Sequence, residues 1–121
     1  MATAAAADGA LATYRAGLRD HDERGVLDAY ADDAVVIAYS ERNRPGSARR
    51  IEGREQIEAW VHDVMGRNLE HTLSDELVSG DRFSFIETCV YPSGEHVVGA
   101  YTCEVRDGRI VRQVGTEAWD E

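Results

Sequence analysis

Apolar side chains at helical spacing open the chain. Leu11, Tyr14 and Leu18 fall at positions i, i+3 and i+7, which places them on one face of a helix. Asp8 precedes this run, and aspartate is a residue type that caps helix N-termini. The pattern therefore predicts a first helix that begins near Asp8, with residues 1–8 expected to be disordered or frayed.

A second, shorter helix is predicted after Asp22, because aspartate again favours an N-cap. Apolar residues follow it at helical spacing, namely Val26, Leu27 and Tyr30. Asp32 and Asp33 are expected to end this helix as solvated turn residues. The β-branched run that comes next predicts a first strand over residues 34–39.

Residues 40–49 are polar, contain Pro45 and Gly46, and show no periodicity. They predict a loop that covers one end of a cavity. A short second strand is expected before Gly53. A third helix then follows, ending at Gly66, and its apolar residues recur at helical spacing: Ile57, Trp60, Val61, Val64 and Met65.

Four long runs rich in Val, Ile, Phe, Tyr and Thr fill the second half, at residues 69–79, 82–91, 95–106 and 109–118. Glycine-containing turn signals separate them, so neighbouring strands are expected to pair antiparallel as a meander. Three helices followed by this meander predict one α+β domain spanning residues 1–121. Its helices are expected to pack on one face of a curved sheet that encloses a pocket.

Composition narrows the classes of function. The net charge is −10, which argues against nucleic acid or an anionic membrane as partner. All 13 basic residues are arginine, so Schiff-base chemistry has no lysine to use. Two cysteines, no apolar run of about 20 residues and no leader-like start favour a cytoplasmic protein with reduced thiols. The four histidines lack metal-site spacing, and we expect no metal and no cofactor.

The last hairpin decides which residues share a sheet face. A three-residue loop at residues 106–108 would place Tyr101 opposite Gln113 and Cys103 opposite Val111. Glu87, Tyr101 and Gln113 would then lie side by side on three strands, facing the helices. A two-residue Asp-Gly turn would instead send Gln113 to the other face.

Two motifs carry a family resemblance. The chain reads Tyr-Ala-Asp-Asp-Ala-Val-Val at residues 30–36 and Gly-Arg-Glu-Gln-Ile at residues 53–57. This arrangement resembles the nuclear transport factor 2-like superfamily, which includes ketosteroid isomerases, SnoaL-like polyketide cyclases and limonene epoxide hydrolases. The resemblance implies a cone-shaped fold. Tyr14 falls where the isomerases have a hydrogen-bonding tyrosine, Ala38 where they have their aspartate base, and Tyr101 where they have a second acid.

The candidate site combines a carboxylate with apolar neighbours. A carboxylate in such a pocket suits acid–base work near neutral pH. We assign Glu87, Tyr14 and Tyr101 as catalytic candidates. The ligand-binding candidates are Gln113, Trp60, Phe85, Phe83, Ala38, His71 and Glu117. The alternative is that Glu87 only bonds Tyr14 or Tyr101 and satisfies the core.

The hypothesis is a protein that binds a small hydrophobic molecule and acts as an isomerase, cyclase or hydrolase. A non-catalytic binding protein and a dimerising accessory domain stay open. Apolar residues on the outer sheet face predict a symmetric homodimer through that face. They are Val98, Ala100 and Val114, with Ile86 and Val90.

Overall fold

The computed structural model describes residues 3–120. Three helices precede most of a six-stranded sheet, which confirms the predicted α+β class. The helices are α1 (Thr3–Arg19), α2 (Glu23–Asp28) and α3 (Arg54–Met65). The strands are β1 (Tyr30–Tyr39), β2 (Arg49–Glu52), β3 (Glu70–Ser79), β4 (Arg82–Val90), β5 (His96–Arg106) and β6 (Arg109–Trp119).

Helix α1 begins earlier than the sequence pattern predicts. It starts at Thr3, so Asp8 lies inside the helix and not at its N-cap, and residues 3–8 are helical. The rest of the segment expected to fray, Met1 and Ala2, lies outside the described residues. The predicted apolar face is buried as expected, and it also includes Ala7 and Ala10.

The boundary between α2 and β1 also differs from the prediction. Asp22 stands at the N-cap of α2, as expected, but the helix ends at Asp28. Tyr30 therefore begins β1, and Asp32 and Asp33 lie within that strand. The ladder to β6 is irregular between Tyr30 and Val35, and both aspartates are exposed within that stretch.

The sheet order is β2-β1-β6-β5-β4-β3. β1 pairs with β6 in parallel, and the other neighbours pair antiparallel. Helix α1 contacts β3 to β6, whereas α3 contacts β1 and β2. All three helices thus cover one face, which we call the inner face. The opposite, outer face presents alternate residues of the same strands.

The β5–β6 hairpin has a different turn from the one predicted. Arg106 pairs with Arg109, so the turn has two residues, Asp107 and Gly108. Both have positive φ, 54° and 79°, as a type I′ turn requires. The three-residue loop was wrong, and so was the pairing of Tyr101 with Gln113.

A bulge further along the same hairpin restores the predicted face of Gln113. Val105 pairs with Ile110, but Glu104 pairs with Arg112, so Val111 is the extra residue. Ile110 is consequently buried and Val111 is only half-buried, and the predicted pairing of Cys103 with Val111 was wrong. Gln113 remains on the inner face because turn and bulge each shift the register by one residue.

None of the helices within residues 3–120 combines the length and apolar character that crossing a membrane requires.

Candidate functional site

A cavity of about 310 Å³ lies between the helices and the inner face of the sheet. Its walls are mostly aliphatic and aromatic, because both layers direct their apolar side chains toward each other. The apolar lining residues are Leu18, Val26, Val36, Ile51, Trp60, Val61, Val64, Met65, Leu69 and Val97. A volume of this size is at the lower end of the range for small-molecule sites, about 300–1,000 Å³.

The polar segment between β1 and β2 contributes to one side of the cavity. Ser40, Glu41, Arg42 and Asn43 line it, and Arg49 does so at the start of β2. The segment holds a short 3₁₀ turn at Pro45–Ser47. Charged and amide groups of the chain are therefore available beside an apolar interior.

Seven of the ten candidate site residues line the cavity: Tyr14, Ala38, Trp60, Glu87, Tyr101, Gln113 and Glu117. The other three, Phe83, Phe85 and His71, do not line it. The two phenylalanines are buried in the core, where Phe85 packs against Tyr14 at a ring distance of 5.4 Å. They support the wall of the cavity from behind.

Glu87 is the most highly connected polar group of the site. It is only 6% exposed. The Tyr14 hydroxyl donates to its Oε1 at 2.5 Å, and His71 Nδ1 lies 2.8 Å from its Oε2. The Cys89 thiol also donates to Oε2, at 3.3 Å. Both carboxylate oxygens are thus bonded, and the tyrosine that bonds Glu87 is Tyr14 of α1 and not Tyr101 of β5.

The expected row of Glu87, Tyr101 and Gln113 is wrong, because the true register separates them. Glu87 is opposite Gly99, and Gln113 is opposite Cys103. Tyr101 is opposite Gly115 on the neighbouring strand β6. The three side chains still line one cavity, but on successive rows of the sheet.

Tyr101 forms a second polar pair. Its hydroxyl donates to Glu117 Oε2 at 2.7 Å, and Trp119 Nε1 donates to Oε1 of the same carboxylate at 3.2 Å. The Tyr101 ring lies over Gly115 and reaches Gly99, where any Cβ atom would collide with it. Burial raises the pKa of Tyr101, and the Glu117 carboxylate raises it further. The phenol therefore stays protonated as a donor.

Gln113 is bonded within the core. The fully buried Tyr30 hydroxyl donates to its Oε1 at 2.7 Å. Burial raises the pKa of Tyr30 well above its ordinary value. Sequence reasoning assigned Tyr30 to a helix and so missed it as the partner of Gln113. Tyr30 and Gln113 meet because β1 runs parallel beside β6.

Several lining residues were not candidates, among them Arg67, Cys89, Tyr91 and Trp119. Arg67 Nη1 donates to the Tyr91 hydroxyl at 3.2 Å. Cys89 could have been identified, because it alternates with Glu87 on the inner face of β4. Arg67 lies in a connection without periodicity, so no sequence pattern indicates it.

The Cys89 thiol also lies 3.4 Å from His71 Nδ1. Burial raises the pKa of Cys89, and the Glu87 charge adds to that effect. His71, Glu87 and Cys89 thus bring an imidazole, a carboxylate and a thiol together, and these three could hold a metal ion. The spacing of the four histidines along the sequence does not indicate a set of this kind, because only one of its three ligands is a histidine.

A family model described as a SnoaL-like domain matches residues 11–113. No curated protein sequence matches the chain. An NTF2-like protein of unknown function from Mesorhizobium loti has 22% identity and a TM-score of 0.73, covering 92% of each chain. This similarity is one of fold, and with the family model it confirms the superfamily resemblance.

Two similar structures have names that mention steroids. RV0760c from Mycobacterium tuberculosis, in complex with estradiol-17beta-hemisuccinate, has 26% identity and a TM-score of 0.71, covering 91% of this chain and 92% of that one. A computationally designed 17-OHP binder has 27% identity and a TM-score of 0.71, covering 91% of both chains.

Proposed function

The chain belongs to the SnoaL-like domain family, and we propose that it binds a small hydrophobic molecule in the cavity between its helices and its sheet. The observation that carries the proposal is an apolar cavity of about 310 Å³ with a few fixed polar groups on its wall. Such a combination is typical of sites that bury an apolar ligand and orient it by one or two hydrogen bonds.

The polar groups favour a ligand with at least one oxygen. Glu87 and Glu117 can accept hydrogen bonds from a hydroxyl, and the Gln113 amide can donate to a carbonyl. The similar RV0760c complex contains a steroid ester, and the similar designed protein binds 17-OHP. Both support a rigid, mostly apolar ligand of steroid-like character.

The test is a ligand titration followed by intrinsic fluorescence. Both tryptophans of the chain, Trp60 and Trp119, line the cavity, so a ligand there should change their emission. With 17-OHP and estradiol-17beta-hemisuccinate as probes, we expect saturable binding of one molecule per chain. A lack of saturable binding by these steroids and by a broad panel of apolar compounds would contradict the proposal.

A matched pair of variants locates the binding. Ala38 lines the cavity, so Ala38→Phe fills part of it and should weaken binding at least tenfold. Ala59→Phe places the same side chain on the exposed surface of α3 and should leave binding unchanged. Equal affinities of the two variants would exclude the cavity as the binding site.

Acid–base chemistry on the bound molecule is the second candidate function, and the buried Glu87 favours it. Glu87 would act as the base, and the hydroxyls of Tyr14 and Tyr101 would turn from Glu87 and Glu117 to donate to a developing oxyanion. This chemistry serves an isomerase, a cyclase or a hydrolase. A bound steroidal ketone in D₂O should exchange its α-protons faster with wild type than with Glu87→Gln, while Glu58→Gln on the exposed surface of α3 keeps the faster exchange. If wild type and Glu87→Gln exchange the α-protons at the same rate, the result would favour a non-catalytic binding protein.

We also propose a symmetric homodimer through the outer sheet face, in the cytoplasm. Val98 is 42% exposed on that face, and Ala100 beside it is exposed as well. Free thiols at Cys89 and Cys103 suit a reducing compartment. Sedimentation of wild type at micromolar concentration should give a dimer and Val98→Arg a monomer, with Glu58→Arg on α3 as the control. A wild-type monomer would remove this proposal.

A further inference from the structure

Three side chains of different chemistry converge at the wall of the cavity, and two of them, Glu87 and Cys89, line it. His71 Nδ1 lies 2.8 Å from Glu87 Oε2, and Cys89 Sγ lies 3.4 Å from the nitrogen and 3.3 Å from the oxygen. The side chain of His71 is 2% exposed and that of Glu87 is 8% exposed. Imidazole, carboxylate and thiolate are the three ligand types that zinc takes from proteins.

A bulge in β3 brings this set together. Ser79 pairs with Arg82 across a two-residue turn, but the register shifts by one between Ser74 and Leu77. Asp75 has a φ of 51° within the bulge. His71 therefore stands directly opposite Cys89 on the inner face. If the same sequence paired without a bulge, His71 would stand opposite Val90 on the outer face and point away from Glu87.

The separations of the donor atoms fit one ion. A circle through the three atoms, with sides of 2.8, 3.3 and 3.4 Å, has a radius of about 1.8 Å. Zinc binds nitrogen and oxygen at about 2.0–2.2 Å and sulfur at about 2.3 Å. An ion just off the plane of the three atoms thus lies at bonding distance from all of them. We propose that His71, Glu87 and Cys89 form a three-residue zinc site in the wall of the cavity.

The surroundings match those of a metal site with an open position. Tyr14 donates to Oε1, the carboxylate oxygen that the ion does not use, and so orients Glu87. Glu87 and Cys89 both line the cavity, so the fourth coordination position lies on the cavity side. Water or an oxygen atom of a bound molecule would fill it. Cys89 binds as the thiolate, and its proton leaves to solvent.

The same contacts would also be present in a hydrogen-bonded cluster that never holds metal. Binding of cobalt distinguishes a metal site from such a cluster. Tag-free protein, stripped with a chelator, is titrated with Co²⁺. A thiolate ligand gives a sulfur-to-cobalt charge-transfer band in the near ultraviolet, and a four-coordinate ion adds visible bands. We expect one equivalent of Co²⁺ to produce the charge-transfer band and the visible bands. We expect Zn²⁺ to displace the cobalt.

Matched variants assign the ligands. Cys89→Ser and His71→Gln should each weaken Co²⁺ binding at least tenfold, and Cys89→Ser should abolish the charge-transfer band. Cys103→Ser and His96→Gln are the controls. Each should keep the Co²⁺ affinity and the charge-transfer band of wild type. Tyr14→Phe should keep the band but weaken binding by about 10–100-fold, as the loss of an outer partner does. Circular dichroism checks that each variant is folded, and His71→Gln decides the result if Cys89→Ser does not fold.

Absence of the charge-transfer band in wild type, or its persistence in Cys89→Ser, would overturn the site. Equal Co²⁺ affinity of His71→Gln and His96→Gln would do so as well. The titration needs no organic ligand, so a negative result leaves the steroid titration of the proposed function unaffected.

Discussion

Tyr101 packs its ring directly against Gly115, its partner on the neighbouring strand β6. A methyl group at Gly115 would overlap the ring, and one at Gly99 would overlap the hydroxyl end. One glycine on the tyrosine's own strand and one on the neighbouring strand therefore leave room for the ring to lie along the inner face. In that position its hydroxyl reaches Glu117.

Gly115→Ala should destabilise the protein. The added methyl group displaces the Tyr101 ring, and such overpacking of a core typically costs about 1–3 kcal/mol. We expect a lower midpoint of urea denaturation and a changed near-ultraviolet circular dichroism spectrum from the displaced tyrosine. An unchanged spectrum and midpoint would mean that Tyr101 does not lie against Gly115.

Gly9→Ala should have the opposite effect. Gly9 is exposed in the interior of α1, and a methyl group there meets no atom within 4 Å. Replacing glycine by alanine in such a position reduces the entropy lost on folding and stabilises by about 0.5–1 kcal/mol. Urea denaturation measures this gain in stability. A loss of stability would contradict the helical assignment around residue 9.

Tyr30→Phe tests the bond to Gln113. The variant keeps the ring but removes the hydroxyl, and it leaves Gln113 Oε1 with only the weak Cys103 thiol contact at 3.6 Å. Leaving a buried acceptor without its partner costs about 1–3 kcal/mol. A double-mutant cycle with Gln113→Leu should therefore show a coupling between the two positions. Additive losses in free energy would indicate that the bond contributes nothing.

Stability should fall in alkaline solution. The folded pKa values of Tyr30 and Tyr101 lie above the unfolded value near 10, because burial disfavours both phenolates. Their contribution is therefore complete below about pH 10 and is lost as the pH rises. Each phenol should lower the free energy of unfolding by up to about 1.4 kcal/mol per pH unit above that point.

Urea denaturation between pH 8 and pH 11 measures this slope, and tyrosinate absorbance reports the ionisation. Of the five tyrosines, Tyr14, Tyr30 and Tyr101 should ionise only together with the loss of tertiary structure, because burial raises the pKa of all three. Tyr101→Phe should show a shallower decline than wild type. Ionisation of all five tyrosines in a protein that keeps its native spectrum would refute the burial argument.

Local sequence patterns predicted the faces of β4 correctly. Phe83 and Phe85 fix the inner face, and strict alternation then places Glu87 and Cys89 beside them. The end of α3 at Gly66 and the strand boundaries after it follow from glycine turn signals in the same way. These features depend on residues that are close together in sequence, so one sequence alone contains the information needed to predict them.

Features that depend on distant pairing could not be predicted in this way. The bond from Tyr30 to Gln113 needs the parallel pairing of β1 with β6, and 83 residues separate the two side chains. The meeting of His71 with Cys89 needs the bulge at Asp75, which no glycine or proline marks. Bulges respond to the packing of the whole sheet, and propensity along the chain is too weak to show them.

The two bulged hairpins have a consequence for anyone who changes the length of this chain. In each, a two-residue turn and one additional strand residue together determine which side chains face the helices. Deleting Val111 alone would remove the bulge and leave Arg112 opposite Glu104 and Gln113 opposite Cys103, so the last strand should keep its inner face. Deleting Val114 from the regular ladder would instead exchange the inner and outer residues that follow it and turn Glu117 away from the cavity. The bulged residues are therefore the strand positions where this chain can lose one residue while the cavity keeps its wall.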